Sequence, residues 1–129
     1  MAHPAEADAS MPTVFIIDHD AAVRDALSIS LRTCGLRVLT FASAGHFLDM
    51  RPPVRNGCLL VEFDLADMRG TDLIIHLAAE RVDLPAIIMS ARLHRPFLGE
   101  ARPSGIVAVL QKPFGRDELL ESVRLAIGI

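Results

Sequence analysis

The sequence has no excess of basic charge: 13 Lys and Arg stand against 16 Asp and Glu, a formal net charge of −3. It therefore offers no basic field to a phosphate backbone, which argues against direct nucleic-acid binding by this chain and leaves proteins as the expected partners. Cysteine is scarce. Cys34 and Cys58 lie in apolar stretches without metal-ligand spacing, and the expectation is two buried thiols in a reducing compartment. No apolar run approaches the roughly 18–20 residues needed to cross a bilayer, and the opening MAHPAEADAS is acidic, unlike a signal peptide. A cytoplasmic protein with no membrane association is expected. Repeats and low-complexity tracts are also missing.

What is present is apolar. At 129 residues the chain is long enough for one domain that buries roughly two-thirds of its unfolded surface. A hydrophobic fraction of 51% and a mean hydropathy of +0.37 suit parallel strands covered on both faces better than a half-wet antiparallel sheet. Residues 1–12 read as a flexible arm and residues 13–129 as the domain.

Along the chain, short β-branched runs alternate with helix-periodic stretches. Residues 13–17 (TVFII) form a strand closed by Asp18, His19 and Asp20, and Asp20 is placed to cap the helix that follows over 21–34. In that helix Val23, Ala26, Leu27, Ser30, Leu31 and Cys34 make the apolar stripe, and Gly35 ends it. A strand over 36–41 precedes a short helix capped by Ser43 and carrying Phe47 and Leu48. The third strand (residues 58–61, with Phe63 just beyond) is followed by a helix over 71–81, with Leu73, Ile74, Leu77 and Ala78 on one side. Strand four covers 84–89, and residues 92–104, broken by Pro96, Gly99 and Pro103, leave room only for a short helix near 97–102. Strand five covers 106–110, and a last helix covers 116–127 with Leu119, Leu120, Val123, Leu125 and Ala126 as its apolar positions.

Strict alternation implies right-handed crossovers and a doubly wound parallel sheet. The fold class predicted is α/β, flavodoxin-like, with strand order 2-1-3-4-5 and a switch point between strands one and three. Ligands in such sheets bind at the carboxyl ends of the strands. There the sequence places Asp18, His19 and Asp20 after strand one, Glu62, Asp64 and Asp67 after strand three, Ser90 after strand four and Lys112 after strand five.

Five segments in order, IIDHDAAVRDAL, TFASAGHFL, the stretch from Glu62 to Gly70, PAIIMSA and KPF, resemble the receiver domains of bacterial two-component response regulators. The closest likeness is to the nitrogen-fixation regulators that join a receiver to a helix-turn-helix, and it covers about residues 13–127. In that family two acids after strand one and an aspartate after strand three hold Mg²⁺, and the strand-three aspartate takes a phosphoryl group from a kinase histidine. A lysine pairs with the phosphoryl and a Ser or Thr hydroxyl bonds it, roles that fall on Lys112 and Ser90. The resemblance also implies a cis bond between Lys112 and Pro113.

The departures fall on the reacting groups. Eight residues before Gly70, where the family has its acceptor aspartate, stands Glu62; His19 takes the place of the second acid; Leu65 and Ala66 replace Met-Pro. Val109 stands where the family has a Phe or Tyr that moves with the switch. A glutamate carboxylate reaches about 1.5 Å further than an aspartate's, and a misplacement of about 1 Å can cost on the order of 100-fold in rate. The expectation is a pseudo-receiver: no enzyme, no catalytic residue, Glu62 as a fixed charge near Lys112 and Ser90, and action through protein contacts. Val109 and the Pro-rich stretch suggest that the family's usual output face is reshaped or fixed.

No cofactor is expected. A Mg²⁺ site, if retained, would use Asp18, Glu62 and Asp64 and be weakened, because His19 is a softer ligand than Mg²⁺ prefers. Asp64 is the rival acceptor, which would make the chain a working phosphoreceiver in a relay. A third reading makes it the receiver part of a larger DNA-binding regulator, although no helix-turn-helix follows the last helix here. The partner expected is a histidine kinase or another signalling protein, and a homodimer is compatible with this reading. His3, His46, His76 and His94 are read as surface or helix-face residues, and the basic run Arg92, His94, Arg95 as a solvated loop.

Overall fold

Five β-rich runs of five or six residues, too short to hold a core alone, line up side by side in a computed structural model that describes residues 11–50, 56–91 and 105–128. The elements are β1 (Thr13–Ile17), α1 (Ala21–Thr33), β2 (Arg37–Phe41), α2 (Ala44–Met50), β3 (Gly57–Glu62), α3 (Gly70–Ala79), β4 (Ala86–Ser90), β5 (Ile106–Gln111) and α4 (Arg116–Ile127). Every strand pair is parallel and the order is β2-β1-β3-β4-β5. This is the flavodoxin-like arrangement. Strand one and the last helix have the predicted limits; other boundaries move by one or two residues, and the short helix expected near 97–102 lies outside the described residues.

Alternation along the strands divides the core in two. Phe15, Ile17, Leu59 and Val61 face Phe47 of α2 and Leu73 of α3, whereas Val14, Ile16, Cys58 and Leu60 face Leu31 of α1 and Val123 of α4. The central strands β1, β3 and β4 are buried along their whole length, as the continuous apolar runs require.

Caps set the helix limits. Asp20 Oδ1 accepts from the amides of Ala22 at 2.9 Å and Val23 at 3.4 Å, opening α1. At its other end Gly35 takes φ 84°, its amide bonds Arg32 O at 2.9 Å, and the Leu36 amide bonds Leu31 O at 3.2 Å. This Schellman closure places Cys34 at the turn. Two expectations for this helix are corrected. Cys34 is exposed, not buried, and its thiol accepts from Arg116 Nη2 at 3.2 Å. The buried side of α1 passes through Leu27, Ser28 and Leu31 and leaves Ala26 outside. Likewise Ala78 and Leu125 face solvent. An apolar side chain at the edge of a stripe is not thereby buried.

Candidate functional site

The parallel register brings the carboxyl ends of β1, β3, β4 and β5 to one rim. Asp18, one residue past β1, is fully buried and fixed from every side: its amide bonds Phe41 O at 3.1 Å and its carbonyl accepts from Arg24 Nη1 at 2.7 Å. Its Oδ1 accepts from the Asp20 amide at 2.9 Å, and its Oδ2 accepts from Lys112 Nζ at 2.9 Å. Glu62, the last residue of β3, has a side chain only 5% exposed, and its Oε2 is in direct contact with the same Lys112 ammonium.

Lys112 reaches them from the far edge. Its backbone amide donates to Ser90 O at 2.7 Å, which extends the β4–β5 pairing by one step, and its bond to Pro113 is cis, as expected. The side chain is 22% exposed. Ser90 is buried at the end of β4, and Val109 is half-buried against the core on the α2 and α3 side.

Two carboxylates thus share one ammonium. Burial pushes the Glu62 carboxyl above the ordinary carboxylate value; Lys112 opposes this, and the Asp18 charge adds to it. For Lys112 burial acts downward, but the hydrogen bonds and charges of Glu62 and Asp18 together leave it above the ordinary lysine value. The ammonium stays protonated, and the Glu62 carboxyl holds a proton more firmly than an ordinary glutamate does.

The other predicted residues go elsewhere. The His19 side chain is 56% exposed, with Nδ1 3.9 Å from Asp18 Oδ1. Asp20 brings its backbone amide to Asp18, but its carboxylate turns to the start of α1. Asp64 is exposed and takes part in an antiparallel bridge with Arg69 inside its own loop. Asp67 crosses to α2, where it accepts from the amides of Ala44 at 3.3 Å and Gly45 at 2.8 Å. Sequence reading placed Asp67 only among the acids after β3, because a cap supplied from more than twenty residues away has no local signature. His46 and His76 are exposed, as expected; His46 meets the ring of Phe41 edge-on and His76 faces Glu80. Residues 92–95 and His3 lie outside the described residues.

The donor set is a poorer match to Mg²⁺ than three converging carboxylates would be. That ion requires several hard oxygen ligands in near-octahedral array. Here Asp18 accepts from Lys112 with one oxygen and from the Asp20 amide with the other, Glu62 faces Lys112, and an exposed imidazole, a softer ligand than Mg²⁺ prefers, stands at position 19. Among the described residues no group of three or more His, Cys, Asp or Glu side chains could hold a metal ion.

Comparison with known proteins gives the frame. The family model for the response regulator receiver domain matches residues 14–124. The transcriptional regulatory protein FixJ of Bradyrhizobium diazoefficiens is 33% identical over 114 residues, covering 88% of this chain and 56% of that protein. The response regulator protein TmoT of Ectopseudomonas mendocina is 34% identical over 114 residues, covering 88% and 52%. The chain thus spans about half the length of the curated relatives it matches. Among solved structures, response regulator StyR superposes with a TM-score of 0.84 at 33% identity, covering 92% of this chain and 60% of that one. The FixJ amino-terminal domain superposes with a TM-score of 0.81 at 32% identity, covering 91% and 94%. No helix among the described residues is long and apolar enough to cross a membrane. By family match, relatives and fold, the chain belongs to the receiver domains of two-component response regulators.

Proposed function

We infer that this is a receiver domain in which the phosphorylation site has become a fixed internal charge, so that it signals through protein contacts without ordinary phosphoryl transfer. One observation carries the reading: the Glu62 carboxylate is in direct contact with Lys112, the lysine that in this family pairs with the phosphoryl group. A phosphoryl group arriving there would have to displace Glu62 from the ammonium, and the longer glutamate arm fills part of the space the group needs. The domain therefore sits in a state that partly mimics the phosphorylated one. Metal affinity is low for the reasons of ligand chemistry given above. The partner is a histidine kinase or another signalling protein met in the cytoplasm, with no direct contact to nucleic acid or membrane.

Incubation with acetyl phosphate and Mg²⁺, followed by intact-mass measurement, tests the reading. The expected result is an unchanged mass. A stoichiometric phosphoryl adduct on Glu62 or Asp64 overturns it.

The relatives' greater length and printed names favour a second reading for the whole protein, in which this domain is the receiver of a longer transcriptional regulator. Measuring the size of the natural gene product with an antibody against this domain distinguishes the two.

A further inference from the structure

The loop that follows Glu62 is pinned at both ends beside that residue and fastened in its middle to another helix. At the ends, the Phe63 amide donates to Met89 O at 2.8 Å and the Gly70 amide to Phe63 O at 2.8 Å. A Cβ on Gly70 would stand 2.5 Å from the Glu62 carbonyl oxygen, so the loop closes on the backbone of Glu62 itself. In the middle, Leu65 and Met68 pack into the core that contains Phe41, Ala44 and Phe47, and the Asp67 carboxylate binds the first two amides of α2. Ser43 Oγ takes the third, from His46, at 3.0 Å. The cap of α2 is complete, and most of it belongs to the loop. Gly45 permits the approach, since a Cβ there would lie 3.2 Å from Asp67 Oδ2.

A carboxylate accepting two amides at a helix start is held by hydrogen bonds and by the positive end of the helix dipole. A loop with closed ends and a fastened middle links the backbone of Glu62 to the Asp67 carboxylate and through it to α2. On the other side of the site Val109 of β5 packs, half-buried, against the same core.

We propose that α2 is the element that reports the state of position 62, with Asp67 as the connecting residue. Loss of the Glu62 charge shifts the loop over residues 62–70, and the Asp67 carboxylate carries the shift into the first turn of α2. His46 in that turn, and Asp49 and Met50 beyond it, are exposed. The inference rests on the charge reading of Glu62 given above.

Amide NMR spectra of the full chain test it, comparing wild type with Glu62→Gln, each with and without Asp67→Ala. Glu62→Gln is expected to shift the amides of Ala44, Gly45 and His46 together with those of Asp18 and Lys112. Adding Asp67→Ala is expected to abolish the response at residues 44–46 and to preserve it at Asp18 and Lys112. Should Asp67→Ala fail to fold, Asp67→Asn, which keeps one acceptor oxygen, is expected to weaken the response at 44–46 selectively. An α2 that stays silent while Lys112 responds overturns the inference and leaves the charge reading standing, as does an α2 response that survives loss of the Asp67 carboxylate. If Glu62→Gln moves neither Asp18 nor Lys112, the charge reading falls and this inference with it.

Discussion

Glu62 and Lys112 come from the ends of two strands that do not pair with each other, β3 and β5, yet their side chains meet across the end of β4. Lys112 bridges that gap because its backbone is fastened to Ser90 while its side chain reaches on to both Glu62 and Asp18. The rim of the sheet is thereby closed by an ion cluster contributed by three strands. Removing the cation should be costly. Lys112→Met leaves two buried carboxylates facing one another, and breaking a buried pair typically costs about 3–5 kcal/mol. The 22% exposure of the lysine side chain puts the expected loss near or below the lower end of that range, to be read from urea unfolding at neutral pH.

The acid side of the stability curve should carry the mark of Glu62. Its folded carboxyl lies above the unfolded value of 4.5, so the folded state binds more protons in the interval above that value, and the Glu62 contribution falls as pH rises through it. Glu62→Gln cannot titrate. The stability of wild type relative to this variant should therefore decline from about pH 4.5 upward and then level off; a difference that stays flat across the acid range would contradict the assignment. Lys112 acts at the other end, since its folded value is raised above 10.5. Its contribution is complete below that pH and is lost as the pH rises through the folded value.

Gly70→Ala should disturb the site from below. The added Cβ would meet the Glu62 carbonyl oxygen at 2.5 Å and a Val61 methyl at 2.9 Å, and a backbone atom cannot turn aside as a flexible side chain can. Overpacking of this kind costs about 1–3 kcal/mol, measurable as a lowered unfolding midpoint. Gly35→Ala also meets strain, from φ 84°, but touches nothing near the site.

Much of this was legible in the sequence for a simple reason. Continuous apolar strands ending in acids, alternating with amphipathic helices, have few ways to pack, and the parallel sheet with its switch point is the shortest of them. Asp18, Glu62 and Lys112 could be placed at one rim because each ends a strand. Side-chain direction was less legible. Asp20 and Asp67 are acids in the same neighbourhood, but each is drawn to the unsatisfied amides of a helix start, a competition that composition does not reveal. His19 turns outward because the chain has already begun its turn into α1. Cys34, Ala26 and Leu125 fit the helical period yet lie past the edge of the buried face, where the period no longer discriminates.

On the proposed reading, placing aspartates at positions 62 and 19 should confer phosphoryl chemistry on the scaffold. Glu62→Asp with His19→Asp shortens the arm that occupies Lys112 and supplies a second hard oxygen donor beside Asp18. The double variant is expected to gain Mg²⁺-dependent labelling by acetyl phosphate at position 62, with Glu62→Asp alone labelled more slowly and His19→Asp alone, which keeps the glutamate on Lys112, unlabelled. A double variant that folds but remains unlabelled would contradict the assignment of Glu62 and His19 as the residues that hold the reaction back.

The most direct measurement is fluorine NMR of the wild-type protein with beryllofluoride and Mg²⁺, because beryllofluoride occupies the place of an acyl-bound phosphoryl group without requiring the transfer step. With Glu62 already seated on Lys112, no bound fluoride signal is predicted. A stoichiometric bound signal that disappears in Lys112→Met would show that the site still accepts a phosphoryl-like group and would contradict the account.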